Sequence, residues 1–361
     1  MKLKKSTVAK GFIVFVVLSV AVMVGILLWT TDRRTWFYFK EFKLVFIPIL
    51  LGLGTVRWFL DGMAFVVMAK HTRHSASPLG IGRGAVIRLE GSLIASVVPV
   101  LVGTFSMHAY LLHKQKLKLS ESAAITVLRA ILPVFLFIFN IPILFLIKTD
   151  PLREKFFTQF IKVISLPLAA IIVFFIFTLF YPHKIKRAVS ILIRWWGKIK
   201  IINTEKIIAV EERLFQEIDQ FSKIFWCYLG KRKLMLFSAT GWILFAFVVD
   251  YFIALSILWG FGFHPSLLKG LAVQFLMRPL IYFAPTPGGA GVWEFTYLGF
   301  FSLFMPQHLI GVAVLIWRLL VTYLPSVAGT FFLVKEFHPD ERLRNLLLEK
   351  GALPEDEIGK L

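Results

Sequence analysis

The sequence predicts an all-α, polytopic helical membrane protein, on three observations. Of 361 residues, 58% are apolar, 38 are Phe and only 17% are charged, and the mean hydropathy is +0.77; a soluble domain has about 45–50% apolar and about 25% charged residues. The apolar residues gather into runs close to the ~20 residues that a helix needs to cross a bilayer. The ~10-residue alternating segments of a membrane barrel are not seen. Together these exclude the soluble, disordered, collagenous and disulfide-stapled classes. The single cysteine, Cys227, excludes an intramolecular disulfide or a multi-cysteine metal site, and neither a metal nor a cofactor is expected.

The elements follow in order. The N-terminus is basic and then apolar from Gly11 to Trp29, longer than the ~7–15 residues of a signal-peptide core and without a cleavage-like site, so it reads as an uncleaved first span. Five more segments qualify as full spans: 44–69, 122–147, 163–181, 234–260 and 308–334. Two apolar stretches are interrupted and read as re-entrant or broken hairpins: 86–111, broken at Pro99 and Gly103, and 268–304, broken at 285–291. Residues 1–335 form one transmembrane domain in this reading, and 336–361 a short cytoplasmic tail. Within the basic loop 182–233, Ile207, Leu214, Ile218, Phe221 and Phe225 recur at helical spacing, and Trp195 and Trp196 stand among Arg194, Lys198 and Lys200. That composition predicts an amphipathic helix on anionic inner-leaflet lipid. No nucleic-acid motif accompanies the net charge of +20. His71 and His74 lie in a polar loop, and Gly80, Gly82 and Gly84 follow no strand, so neither set is a metal site or a dinucleotide fingerprint.

Charge placement orients the spans. With the N-terminus inside and both hairpins returning to the side they entered from, 27 Lys and Arg fall inside, nine outside and five within apolar segments, which puts both termini in the cytoplasm. The five are Arg57, Arg88, Arg129, Arg278 and Arg318, and Asp61, Asp250 and Glu294 join them. A charge at the bilayer centre costs roughly 2.5–3.5 kcal/mol, so such residues usually face a bundle interior or a wet cavity. Arg57 and Asp61 are four apart on one helix face, which predicts a structural ion pair.

Pro285-Thr286-Pro287-Gly288-Gly289-Ala290-Gly291 cannot continue a helix. Unwound backbone at membrane depth survives only where protein or a wet cavity satisfies it, and the half-helix opening at Val292-Trp293-Glu294 would offer free N–H groups to an anion. The two breaks also sit in similar surroundings. Arg129 follows Pro99 by 30 residues and Arg318 follows Pro287 by 31; Arg88 and Arg278 precede those prolines by 11 and 9, and Asp61 and Asp250 by 38 and 37. This pattern reads as an inverted-topology repeat with a site at its interface.

The string Pro285 to Glu294, with Arg318 and Tyr323 before Pro325, resembles the transmembrane-region family of lysylphosphatidylglycerol synthases, the flippase-like integral membrane proteins. Ser96, Pro99, Gly103 and Arg129 agree more weakly, and the resemblance covers about residues 44 to 335. It implies movement of a phospholipid or lipid-linked headgroup across a bacterial inner membrane rather than aminoacylation, because only 27 residues follow the last span and no soluble aminoacyltransferase domain is expected. On this reading Arg129, Arg278 and Arg318 hold the phosphate, Glu294 pairs an arginine or a cationic headgroup, and Pro285, Pro287, Gly288, Gly289, Gly291 and Tyr323 shape the site. Two other readings stay open: a membrane-embedded transferase with Glu294 as general base, and a scaffold that docks a separately encoded lipid-modifying enzyme on loop 182–233.

Overall fold

A computed structural model describes residues 5–31, 42–70, 79–97, 100–137, 204–282, 284 and 286–337, with a few isolated positions between them. Everything regular among these residues is helical. In chain order the helices are α1 (Lys5–Thr30), α2 (Phe46–Ala69), α3 (Ile81–Val97), α4 (Val100–Lys114), α5 (Leu119–Leu136), α6 (Thr204–Lys231), α7 (Lys233–Gly260), α8 (Leu267–Tyr282), α9 (Val292–Ser302), α10 (Gln307–Arg318) and α11 (Leu324–Phe337), with a π-helical turn, Leu319–Tyr323, joining the last two. The all-α membrane fold expected from hydropathy is the fold found.

Among the described residues, three helical stretches are long and apolar enough to cross a membrane: Phe46–Ala69, Lys233–Gly260 and the continuous run Gln307–Lys335. Their outward side chains are what lipid requires and water would not tolerate: Phe237 is 81% exposed and Phe331 66%. The interrupted stretches behave differently. At 1.5 Å per residue, the 17 and 15 residues of α3 and α4 reach about 25 and about 22 Å, short of the ~30 Å hydrocarbon core. The two lie side by side as a hairpin. Helices α8 and α9, of 16 and 11 residues, are shorter than a span for the same reason. The expected spans at 163–181 and beyond residue 137, Pro99, Trp195, Trp196, the His71 and His74 loop, and the tail lie outside the described residues.

Packing is organised around α2 and α7, which run against each other along their length. One apolar core joins α2, α4, α5 and α7 through residues such as Phe65, Leu111, Ile125 and Ile243. A second joins α7 to α8, α9 and α10 through Leu255, Met277, Phe300 and Trp317. Gly84 on α3 packs on Gly62 of α2 so closely that a Cβ on either would collide with the other's backbone. Of the glycine repeat, Gly84 therefore serves helix contact, while a Cβ on Gly80 or Gly82 would meet nothing.

Helix α6 departs from the expected surface helix. Phe225 and Tyr228 are buried, and Phe221 and Ile224 pack beside them in the core built by α5 and α7. In this half of α6 the apolar stripe faces protein rather than the leaflet, because the ends of α5 and α7 present an apolar surface that the stripe covers.

Candidate functional site

Two groups of buried charges lie close together, and they differ in character. The first is closed. Arg318, at the C-terminus of α10, and Glu294, in the first turn of α9, are both 0% exposed. The Arg318 guanidinium donates through Nε to Glu294 Oε1 at 2.9 Å, through one terminal nitrogen to the Gly288 carbonyl at 2.9 Å and through the other to Thr322 Oγ1 at 2.9 Å. It also faces the rings of Trp293 and Tyr323 at 5.5 and 5.7 Å. The second Glu294 oxygen accepts from the Gly291 N–H at 2.8 Å.

This disposes of the expectation that the α9 N-terminus would hold a foreign anion: the chain's own carboxylate already caps it. The glycines of the break serve this closure. Gly289 and Gly291 take φ of +64° and +86°, where a Cβ is penalised, and a Cβ on Gly289 would strike the Trp293 indole. The space at Gly289 is therefore filled by tryptophan and not left for a headgroup. The Gly288 N–H donates to the Ala95 carbonyl of α3 at 2.9 Å, stitching the second break to the first hairpin. Pro285 lies outside the described residues.

The second group is open. Asp61 on α2 accepts from Arg88 Nε of α3 and from Arg129 of α5. Asp250 on α7 accepts from Arg278 of α8 and faces Arg57 Nε of α2 at 3.1 Å. The expected Arg57–Asp61 pair is thus replaced. The two share a helix face, but guanidinium arms from neighbouring helices reach each carboxylate first: Asp61 is taken from α3 and α5, and Arg57 turns to α7. Cation–π contacts steady two arginines, Arg129 over Phe65 at 4.6 Å and Arg278 over Phe247 at 4.2 Å.

These side chains wall a cavity of about 150 Å³, room for on the order of ten waters. Arg57, Asp61, Arg88, Arg129 and Arg278 line it, with the hydroxyls of Ser92, Ser96, Thr104, Thr126, Thr322 and Ser326, and with His108. Asp250 lies behind the lining, fully buried. Four arginines thus share two aspartates, an excess of two positive charges at membrane depth. That is costly unless an anion or water compensates it.

Of the residues expected to form the site, Arg129, Arg278 and Gly288 line the cavity. Pro287, Gly289, Gly291, Glu294, Arg318 and Tyr323 belong to the closed group behind its wall, which they share through Gly288, Trp293 and Thr322. Sequence reasoning left Arg88 and Asp250 out of the site although both appear in the repeat spacing. The corresponding contacts exist: Asp61 with Arg88, and Asp250 with Arg278. It also did not connect Arg88, Ser92 and Ser96 as a polar stripe with period four, although Ser96 was singled out by the resemblance; Ser96 meets Ser326 at 2.8 Å.

The fold and site define a class: a polytopic helical membrane protein in which interrupted helices enclose a buried, arginine-rich cavity. The chain belongs to the lysylphosphatidylglycerol synthase transmembrane-region family, which it matches over residues 15–329. A protein of Archaeoglobus fulgidus described as a UPF0104 membrane protein is 23% identical over 321 residues, covering 85% of this chain and 91% of the relative. No solved structure matches the chain. Family membership supports a function tied to membrane lipid.

Proposed function

We propose that this protein translocates a phospholipid or lipid-linked headgroup between the leaflets of the bacterial cytoplasmic membrane. The headgroup occupies the arginine cavity and the hydrocarbon chains remain in the bilayer. One observation carries the reading: a polar cavity with excess positive charge, enclosed between the long helices α2 and α7 and short helices that do not themselves span. Unwound backbone and unbalanced charge are tolerated in a membrane where they serve a passage. Arg129 and Arg278 meet the phosphate together with Arg57 and Arg88, while Arg318 and Glu294 hold the wall. Both termini are cytoplasmic, and the basic part of loop 182–233 meets anionic lipid. The transferase alternative is weaker on this geometry, since Glu294 has both oxygens engaged and does not face the cavity.

The test is reconstitution in liposomes that carry fluorescent phospholipids. Purified protein should move label between leaflets, and a protein with Arg129 and Arg278 both changed to Gln should insert but move little. Failure of the unaltered protein to move any lipid would overturn the reading.

A further inference from the structure

We infer that the group this cavity takes is a phosphomonoester: a phosphate joined to its carrier by one ester bond and bearing close to two negative charges. The inference rests on the translocator reading and names its substrate class.

The charge count carries it. Four guanidiniums sharing two carboxylates leave two positive charges, which a phosphomonoester dianion matches (its second ionisation lies near pH 6). A phosphodiester, with one charge, leaves half of the excess unmatched. A headgroup bearing an amine has no partner here. Among the described residues lining the cavity, Asp61 is the one carboxylate, and both Arg88 and Arg129 already hold it.

Donor geometry agrees. The buried Arg129 Nε–H has no acceptor among the described residues, and the Arg88 and Arg129 side chains, 19% and 14% exposed, are the most open of the four. Guanidinium forks suit the tetrahedral oxygens of phosphate. Ser92, Ser96 and Thr126 already donate to backbone carbonyls of their own helices, so the guanidiniums are the donors a ligand meets.

The same chemistry has two sources, a lipid phosphomonoester or free phosphate, and one experiment separates them. Protein purified in detergent at pH 8 is titrated with phosphatidate, phosphatidylglycerol, phosphatidylethanolamine, lysylphosphatidylglycerol and inorganic phosphate, read by native mass spectrometry and thermal melting. Phosphatidate should bind about ten-fold or more tighter than phosphatidylglycerol, as an added charge-assisted contact implies, and the other two lipids more weakly still. The double variant R129Q/R278Q removes the excess charge while leaving Asp61 its contact with Arg88 and Asp250 its ion pair with Arg57; it should lose the preference, and its melt should fall by the loss of the Arg278–Asp250 contact. Should it fail to fold, R129K/R278K keeps the charge without the fork and should retain a reduced preference. Equal affinity for phosphatidate and phosphatidylglycerol would overturn the inference and leave lipid translocation standing. Inorganic phosphate binding as tightly as phosphatidate would overturn the lipid assignment. Selective phosphatidate binding with no lipid moved in liposomes would sink the translocator reading alone.

Discussion

Arg129 and Arg318 occupy matching places, 30 and 31 residues beyond the prolines of their respective breaks, yet their surroundings have opposite purposes. Arg318 is sealed, with a carboxylate, a carbonyl and a hydroxyl on its three nitrogens. Arg129 shares its carboxylate with Arg88, keeps one N–H without an acceptor among the described residues and opens onto the cavity. The difference traces to one residue. Glu294 stands just after the break before Arg318 and neutralises it locally, whereas no acid lies between Pro99 and Glu121. A balanced charge pair closes a wall, and the unbalanced set is where we assign the ligand.

The comparison breaks most sharply under one substitution made at both places. Arg318→Gln should leave Glu294 buried without its partner, at a cost of about 3–5 kcal/mol. Its melting temperature in detergent should fall far below the parent's, with transport lost along with the fold. A melt close to the parent's would show that the closed group is not what holds the wall.

Gly289→Ala probes the same wall through its backbone. It forces a side chain into φ +64° and against Trp293, so a loss of about 1–3 kcal/mol is expected. Trp293 lines the cavity, so headgroup movement should decline in liposomes even at temperatures where the variant stays folded. Smaller again is Ser96→Ala, which removes the 2.8 Å contact to Ser326 at about 1 kcal/mol. A lower melt with little change in transport would mark that contact as a tie between α3 and α11.

The sequence showed helices, breaks and deep charges plainly, because hydropathy and helix breakers are local properties. The partner of each charge was less legible. Spacing puts Arg57 and Asp61 on one face, but it cannot say that arms from α3, α5 and α7 reach between them. Proline and glycine announced an unwound turn between α8 and α9. Whether its N–H groups stay free depended on Glu294, whose place three residues after Gly291 is the capping-box spacing and was the signal available for this closure. The amphipathic stripe of α6 was readable, while its cover, protein or lipid, was set by where the ends of α5 and α7 fall.

Arg129→Gln should have the smallest effect on stability and is the most informative of the set. It gives up a contact to Asp61 and the cation–π contact with Phe65, the latter about 0.5–1 kcal/mol. Asp61 still holds Arg88, and one unit of uncompensated positive charge is removed. These terms oppose each other, so the melting temperature should stay within the shift expected of about 1 kcal/mol. Lipid movement, in contrast, should collapse, because half of the excess charge and a guanidinium that lines the cavity are lost. A variant that melts like the parent and still moves lipid would mean that the cavity's charge serves only the fold, and the distinction between the two arginines would then be one of packing.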